Sequence, residues 1–458
     1  MSSRPSRRLR RAAAASAGGA ALLCGLVGCG PGSGGPAGGG PDGAGAPAGT
    51  AATPSAPSRS PTTSPTTSPP AGAGSATPAG SPTATARATP ASPTGSSAGS
   101  AAGAADRDTA CARRESARLS EAQRVGQLLM VGFDTAAPRT SLDAVIAGSH
   151  VGGVVYLGGW TGADGVRATS RHLQGRATPA ATGGVKLLVA ADQEGGQVQQ
   201  LRGAGFTRIP SALAQGAEAD STLRTRATGW AEELAAVGVN VNLAPVADTV
   251  PASIGRANQP IGRWERQFGA EPGEVSRSSV AFLRGMRAGG VEGTLKHFPG
   301  LGRIRSNTDF SATGITDTVA TVDDPHLEPF RAGIRAGAGL VMVGSARYPK
   351  LDPRDRAMFS SAVVTGLLRD RLGFDGVVVT DDVNAEAVRS VPAGERAVRV
   401  VRAGGDVVLD GNPADAPAMS RALRAEAKAD PRFADRVAES AERVLTLKAR
   451  MGLLRCGG

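Results

Sequence analysis

Lys296 and His297 stand side by side where a short apolar run, Gly290 to Leu295, meets the break at Pro299-Gly300. A cation and an imidazole at a strand end, beside a glycine-rich loop, are placed to hold a ligand. A solvated lysine and a hydrogen-bonded histidine at a strand edge would look the same in these residues alone. The aspartates add weight to the first reading. Asp192 ends the run Lys186–Asp192, Asp248 follows Val239–Pro245, Asp381 ends Gly376–Asp381 and Asp410 ends Asp406–Asp410. A carboxylate at the end of a rigid strand can be held within about 0.5 Å of a productive position. Each also has a plainer reading. Asp381 could cap the next helix, although its neighbour Asp382 suits that better, and Asp192 could be a turn residue.

The elements that must position these residues are apolar runs alternating with helical stretches. The runs are Gln127–Phe133, Gly152–Gly158, Lys186–Asp192, Val239–Pro245, Gly290–Lys296, Gly339–Gly344, Gly376–Asp381 and Asp406–Asp410. Their continuous apolar character fits parallel strands covered on both faces. Helices are expected at Thr222–Val237, Pro272–Ala288, Pro329–Ala336 and Arg436–Met451, and Ser120 is placed to cap one starting near Arg118. Strand then helix, repeated over residues 107–458, gives an α/β fold, a (β/α)8 TIM barrel, with a doubly wound open sheet as the alternative. In a barrel all the strand-end residues above meet on one face.

Charge and composition bound the function. The formal net charge of +11 falls to +6 once the five arginines of residues 1–28 are set aside. The remaining Lys and Arg are scattered, so no nucleic-acid partner is expected. Arg4 to Arg11 and the Ala/Leu-rich stretch after them form a signal peptide over 1–28. Leu26-Val27-Gly28-Cys29 resembles a bacterial lipobox, which makes Cys29 the lipidation site. Ser6-Arg7-Arg8 faintly resembles a twin-arginine signal, and the export route stays open. A membrane-anchored, extracytoplasmic lipoprotein is expected. Residues 29–106 are almost wholly Gly, Ala, Pro, Ser and Thr, with PTTSPTTSPP at 61–70, and lack the apolar surface to fold. They read as a disordered linker with an end-to-end distance of roughly 50 Å. Cys111 and Cys456 flank the folded domain, whose termini a barrel brings close. An oxidising exterior suits a disulfide between them. No metal-ligand spacing is visible among the four His and the Cys, and no dinucleotide-binding glycine pattern follows the first strand. No cofactor is expected, and a monomer is.

Several segments together resemble one family. KHFPG at 296–300, ADQEGG at 191–196, LAPVAD at 243–248 and GFDGVVVTDD at 373–382 are similar to the N-terminal barrel of glycoside hydrolase family 3. Within it they are most similar to the single-domain bacterial β-N-acetylglucosaminidases, also called β-N-acetylhexosaminidases. LSEAQRVGQLLMVGF at 119–133 and RVLTLKARMGL at 443–453 fit the family's first and last segments. The resemblance implies a retaining mechanism through a covalent glycosyl-enzyme, on a glycan containing N-acetylglucosamine. It implies Asp381 as nucleophile. It implies Asp192, Arg266, Lys296 and His297 as contacts to sugar hydroxyls, although Arg266 could instead be a surface ion-pair partner.

Three positions depart from the pattern. Where that branch carries an Asp-Ser-His triplet after KHFPG, this chain has Asn307-Thr308-Asp309, so Asp309 stands in place of the acid/base histidine. Gln200 aligns with a usual arginine, for which Arg202 is the nearest substitute. Ser345 stands where the sixth strand usually ends in histidine. An Asp can serve as the acid if its site raises its pKa toward neutrality. Three readings follow: a glycosidase acting on cell-wall, peptidoglycan-derived glycans, a glycan-binding relative that has lost its acid/base, or a glycosidase of altered preference.

Overall fold

The computed structural model describes residues 97–456, so the signal peptide, Cys29 and most of the linker lie outside the described residues. Eight strands form one parallel sheet. They are β1 Leu129–Asp134, β2 Gly153–Leu157, β3 Leu188–Ala191, β4 Val241–Asn242, β5 Glu292–Phe298, β6 Leu340–Val343, β7 Val377–Thr380 and β8 Val408–Asp410. Their spatial order is β7-β6-β5-β4-β3-β2-β1-β8. A parallel bridge between Val379 and Val407 brings β7 to β8 and nearly closes the ring. The barrel, and not the open sheet, is therefore the fold. Valine dominates β6 and β7, whose residues are all buried, as befits strands covered on both faces. Only Val241 and Asn242 of the fourth run pair as strand; beyond them the chain rejoins β5 through a single bridge from Val246 to Lys296.

Helices return the chain after each strand. Those expected lie at Asp220–Ala236, Pro272–Ala288, Glu328–Arg335 and Pro431–Arg450. Ser120 caps Glu121–Gln127 through a capping box: its Oγ accepts the Gln123 N–H, and Gln123 Oε1 accepts its own. Helical stretches at Asp143–Ser149, Ala163–Arg176, Ala362–Arg371, Ala393–Ala403 and Ala416–Ala429 fill the remaining crossovers.

The core has two layers. Met130, Val155, Leu188, Val241, Leu340 and Val377 point inward, while a larger shell packs strands against helices. Val444 and Leu447 of the last helix belong to the inner cluster and close the end of the barrel where the strands begin. Each such side chain contributes about 1.5–3 kcal/mol on burial. A helix, Ser97–Arg118, packs on that last helix and begins ahead of residue 107, where order was expected to start. The sulfurs of Cys111 and Cys456 are bonded, with Cα atoms 5.6 Å apart.

Candidate active site

Polar side chains gather where the strands end. Asp192 follows β3, and the chain then turns in a small hairpin, Gln193–Gly195 against Val198–Gln199. Asn242 on β4 pins its start, accepting the Gln193 N–H at 3.0 Å and donating to the Gln193 carbonyl at 3.1 Å. Gln215 donates to the Glu194 carbonyl at 2.8 Å. Gly195 has φ 111°, and a Cβ there would lie 2.1 Å from the Pro210 carbonyl, so only glycine fits.

This hairpin delivers Glu194 to Lys296, a residue the sequence reading passed over. Lys296 Nζ, buried at the end of β5, lies 2.6 Å from Asp192 Oδ1 and 2.5 Å from Glu194 Oε1. Arg266 grips the same Glu194 with two donors, at 2.8 and 2.7 Å, and gives a third hydrogen bond to the Pro260 carbonyl. Arg266 is therefore a part-buried clamp on a buried carboxylate and not a surface ion-pair partner. Burial alone would raise the Glu194 carboxyl; the charges of Arg266 and Lys296 overcome this and hold it at about 2. Burial would likewise lower Lys296, yet Asp192 and Glu194 raise it. Asp192 is the more open member of this cluster, its side chain 21% exposed against 2% for Lys296.

His297 belongs to a second cluster. Its Nδ1 lies 2.8 Å from Asp248 Oδ2, and the fully buried Asp248 also accepts the Leu301 N–H at 2.7 Å. Asp248 thus ties the end of β4 to the turn that follows β5.

Asp309 and Asp381 form the third. Asn307 Oδ1 accepts the Asp309 N–H at 2.9 Å. The carbonyls of Thr308 and Asp309 accept the N–H groups of Ala387 and Glu386, each at 3.1 Å, stitching the loop after β5 to the loop after β7. Asp381 follows β7, and its N–H donates to the Val343 carbonyl of β6 at 2.9 Å. Asp382 caps no helix, the next one starting only at Ala393 behind Pro392; its Oδ1 accepts from Asn384 and Gly411, both at 2.8 Å, and ties the turn after β7 to the end of β8. Asp309 is exposed, yet the protein packed round its carboxyl, and next the negative charge of Asp381, push it up to about 7 against the opposing pull of Arg266. Asp410 is buried and is raised to about 7 as well, by burial first, but one of its oxygens lacks a partner and it stands back from solvent.

Gln200 accepts the Gly159 N–H at 3.0 Å, and Arg202 is exposed. Ser345 is buried beyond β6 with an unpartnered hydroxyl. Among the described residues no group of three His, Cys, Asp or Glu is placed to hold a metal. Two other hollows, of about 320 and 620 Å³, open near Lys186 on the opposite face, and neither is lined by two carboxylates.

A parallel barrel with carboxylates converging at its strand ends is the architecture of a barrel enzyme. Residues 121–447 match the model of the glycosyl hydrolase family 3 N-terminal domain, and the chain belongs to that family of glycoside hydrolases. It is 37% identical over 235 residues to a beta-hexosaminidase of Xylella fastidiosa strain M23, spanning 50% of this chain and 68% of that one. The fold matches a beta-N-acetylhexosaminidase from Beutenbergia cavernae with TM-score 0.70 and 50% identity, over 72% of this chain and 98% of the other. A family 3 beta-N-acetylglucosaminidase from Paenibacillus sp. matches with TM-score 0.63 and 32% identity, over 73% of this chain and 63% of that one.

Proposed function

We propose that this chain is an exported, lipid-anchored retaining β-N-acetylglucosaminidase that removes N-acetylglucosamine from cell-wall, peptidoglycan-derived glycans. The observation that carries the reading is the stitching of the Asp309 loop to the loop after Asp381 by the Ala387 and Glu386 N–H groups, which brings the two carboxyls near enough for the charge of one to raise the other. The relatives named as hexosaminidases support the sugar.

In the first step the Asp381 carboxylate attacks the anomeric carbon while Asp309 gives its proton to the glycosidic oxygen, and the leaving sugar departs as an alcohol. Asp381 is then an ester and has lost its negative charge. Asp309, having given up its proton, is already a carboxylate, and the loss of the Asp381 charge, which had helped to raise it, favours that ionised form. As a carboxylate it takes a proton from water, whose oxygen attacks the anomeric carbon and releases Asp381. Asp192 stands open beside Lys296 and is suited to accept from a sugar hydroxyl. Lys296, Arg266 and Glu194 keep it fixed, and Asp248 fixes the His297 ring.

The test is rate against leaving-group pKa for wild type, Asp309→Asn and Asp381→Asn. Asp381→Asn should abolish cleavage of every substrate. Asp309→Asn should slow oligosaccharides by about 10²–10⁴-fold and spare activated aryl substrates. A wild type that binds N-acetylglucosamine oligomers and cleaves nothing would instead favour the binding-protein reading, which the missing histidine motivates. The anchor has its own test: labelled palmitate should enter the protein and be lost in Cys29→Ala, and persistent unlipidated cytoplasmic protein would end that part.

A further inference from the structure

We propose that Arg396 is a positioning residue for the nucleophile: by holding the turn after β7 from behind, it fixes the direction in which the Asp381 carboxylate points. This rests on the glycosidase reading above and adds to it a residue that no motif singled out. Asp381 has little of its own to hold it. Among the described residues the one hydrogen bond to its carboxylate comes from the next N–H, that of Asp382, to Oδ1 at 2.9 Å. The peptide between the two therefore sets where the nucleophile points, and that peptide belongs to the turn Asp381–Val383. Two N–H groups of this turn are taken by neighbouring strands. Asp381 donates to the Val343 carbonyl and Val383 to the Leu409 carbonyl, each at 2.9 Å. The carbonyl that ends the turn, on Val383, accepts from Arg396 Nη1.

Arg396 comes from the helix Ala393–Ala403, and its side chain is 5% exposed. Its other prong, Nη2, donates to Asp415 Oδ2 at 3.2 Å, on the short turn Pro413–Asp415 that follows β8. Nη1 also lies 4.0 Å from Asp410 Oδ2 at the end of β8. One planar fork thus joins the turn after β7 to the turn after β8. A guanidinium can span both anchors at once, whereas the single ammonium of a lysine is a point charge on a flexible stem. Its charge suits the place as well. Burial raises the carboxyls of Asp382 and Asp410 at this junction, and Arg396 works against it in both. Without the fork, Val383 loses its partner, the Asp381–Asp382 peptide is free to tilt, and the nucleophile moves with it.

A nucleophile displaced by about 1 Å costs on the order of 10²-fold in rate. The loss falls on attack at the anomeric carbon, so it should not depend on the leaving group, unlike a loss at Asp309. The experiment measures kcat, KM and N-acetylglucosamine binding for wild type, Arg396→Ala, Arg396→Lys and Asp415→Asn. The substrates are the N-acetylglucosamine trisaccharide and N-acetyl-β-glucosaminyl fluoride. In Arg396→Ala, kcat and kcat/KM should fall together by about 10–100-fold on both substrates, with sugar binding unchanged. Guanidinium ion added at low concentration should restore part of that rate. Arg396→Lys should lose less, and Asp415→Asn, which frees one prong only, about threefold to tenfold. Should Arg396→Ala not fold, Arg396→Lys and Asp415→Asn decide. Wild-type kcat in both would overturn the proposal while the glycosidase reading stands. Loss of sugar binding in step with kcat would also overturn it, since Arg396 would then support the whole site and not the aim of one carboxylate. If wild type cleaves neither substrate, the glycosidase reading fails and this role with it.

Discussion

The two largest influences that raise the Asp309 carboxyl are the protein around it and then the charge of Asp381, and Asp382 adds to them. An acid with a pKa of about 7 is protonated below that pH, so kcat/KM on an oligosaccharide should fall about tenfold per unit above pH 7. On N-acetyl-β-glucosaminyl fluoride, whose leaving group needs little protonation, that limb should be absent; a limb of equal depth on both would assign it to another group. In Asp381→Asn one of the two influences is gone, and the Asp309 titration followed by NMR should move below 7. Strand-end position and motif singled out Asp381 in the sequence, and motif alone singled out Asp309. Glu194 was not. A lone acid between Gln193 and Gly195 reads as a turn residue, and Arg266, its partner, lies 72 residues further on. Only the pairing of β3 with β4, and of β4 with β5, brings that glutamate to Lys296 as a buried anion held by two cations.

Among elements, the strands were readable and several helices were not. Continuous runs such as Val377-Val378-Val379 declare a covered strand whatever surrounds them. Ala163–Arg176 buries only Val166, Thr169, Ser170 and Leu173, too sparse a stripe to stand out, and Ala393–Ala403 is short. The helix from Ser97 begins in the Ala/Gly/Ser composition of the linker before it; alanine favours a helix, and docking on the last helix makes it worth forming. That last helix carries Lys448, wholly buried, with Nζ donating to Gln127 Oε1 at 2.6 Å and to the Gly152 carbonyl at 2.9 Å. Burial lowers it from 10.5 to about 7. Between those values the unfolded chain binds the extra proton, so the fold gains stability as pH rises from about 7 toward 10.5, by up to about 1.4 kcal/mol per unit. Denaturant midpoints of wild type relative to Lys448→Met should climb through this window. A flat difference would mean that the ammonium stays charged inside.

At the scale of the whole molecule, the parallel sheet curls until β7 meets β8, so the strand ends that carry Asp192, Asp248, Lys296, Asp381 and Asp410 surround one mouth where an open sheet would set them along an edge. It closes between β7 and β8 through the Val379–Val407 bridge and backbone hydrogen bonds on either side of it, among them the Thr380 N–H to the Val407 carbonyl at 3.0 Å and the Val407 N–H to the Val378 carbonyl at 3.0 Å. The bond between Cys111 and Cys456 spans 345 positions in the chain and so turns the domain into a covalent ring with two leads. That has a mechanical consequence. Tension applied at the two chain ends crosses from one lead to the other through sulfur and never reaches the strands, so β1 and β8 are not peeled apart by it. In an optical trap, stretching the intact protein should yield only the slack of the leads, with no release from the barrel. Adding a reductant under load should free about 1,200 Å of contour, at about 3.5 Å for each enclosed residue. A full-length release before reduction would show that the load runs through the strands after all.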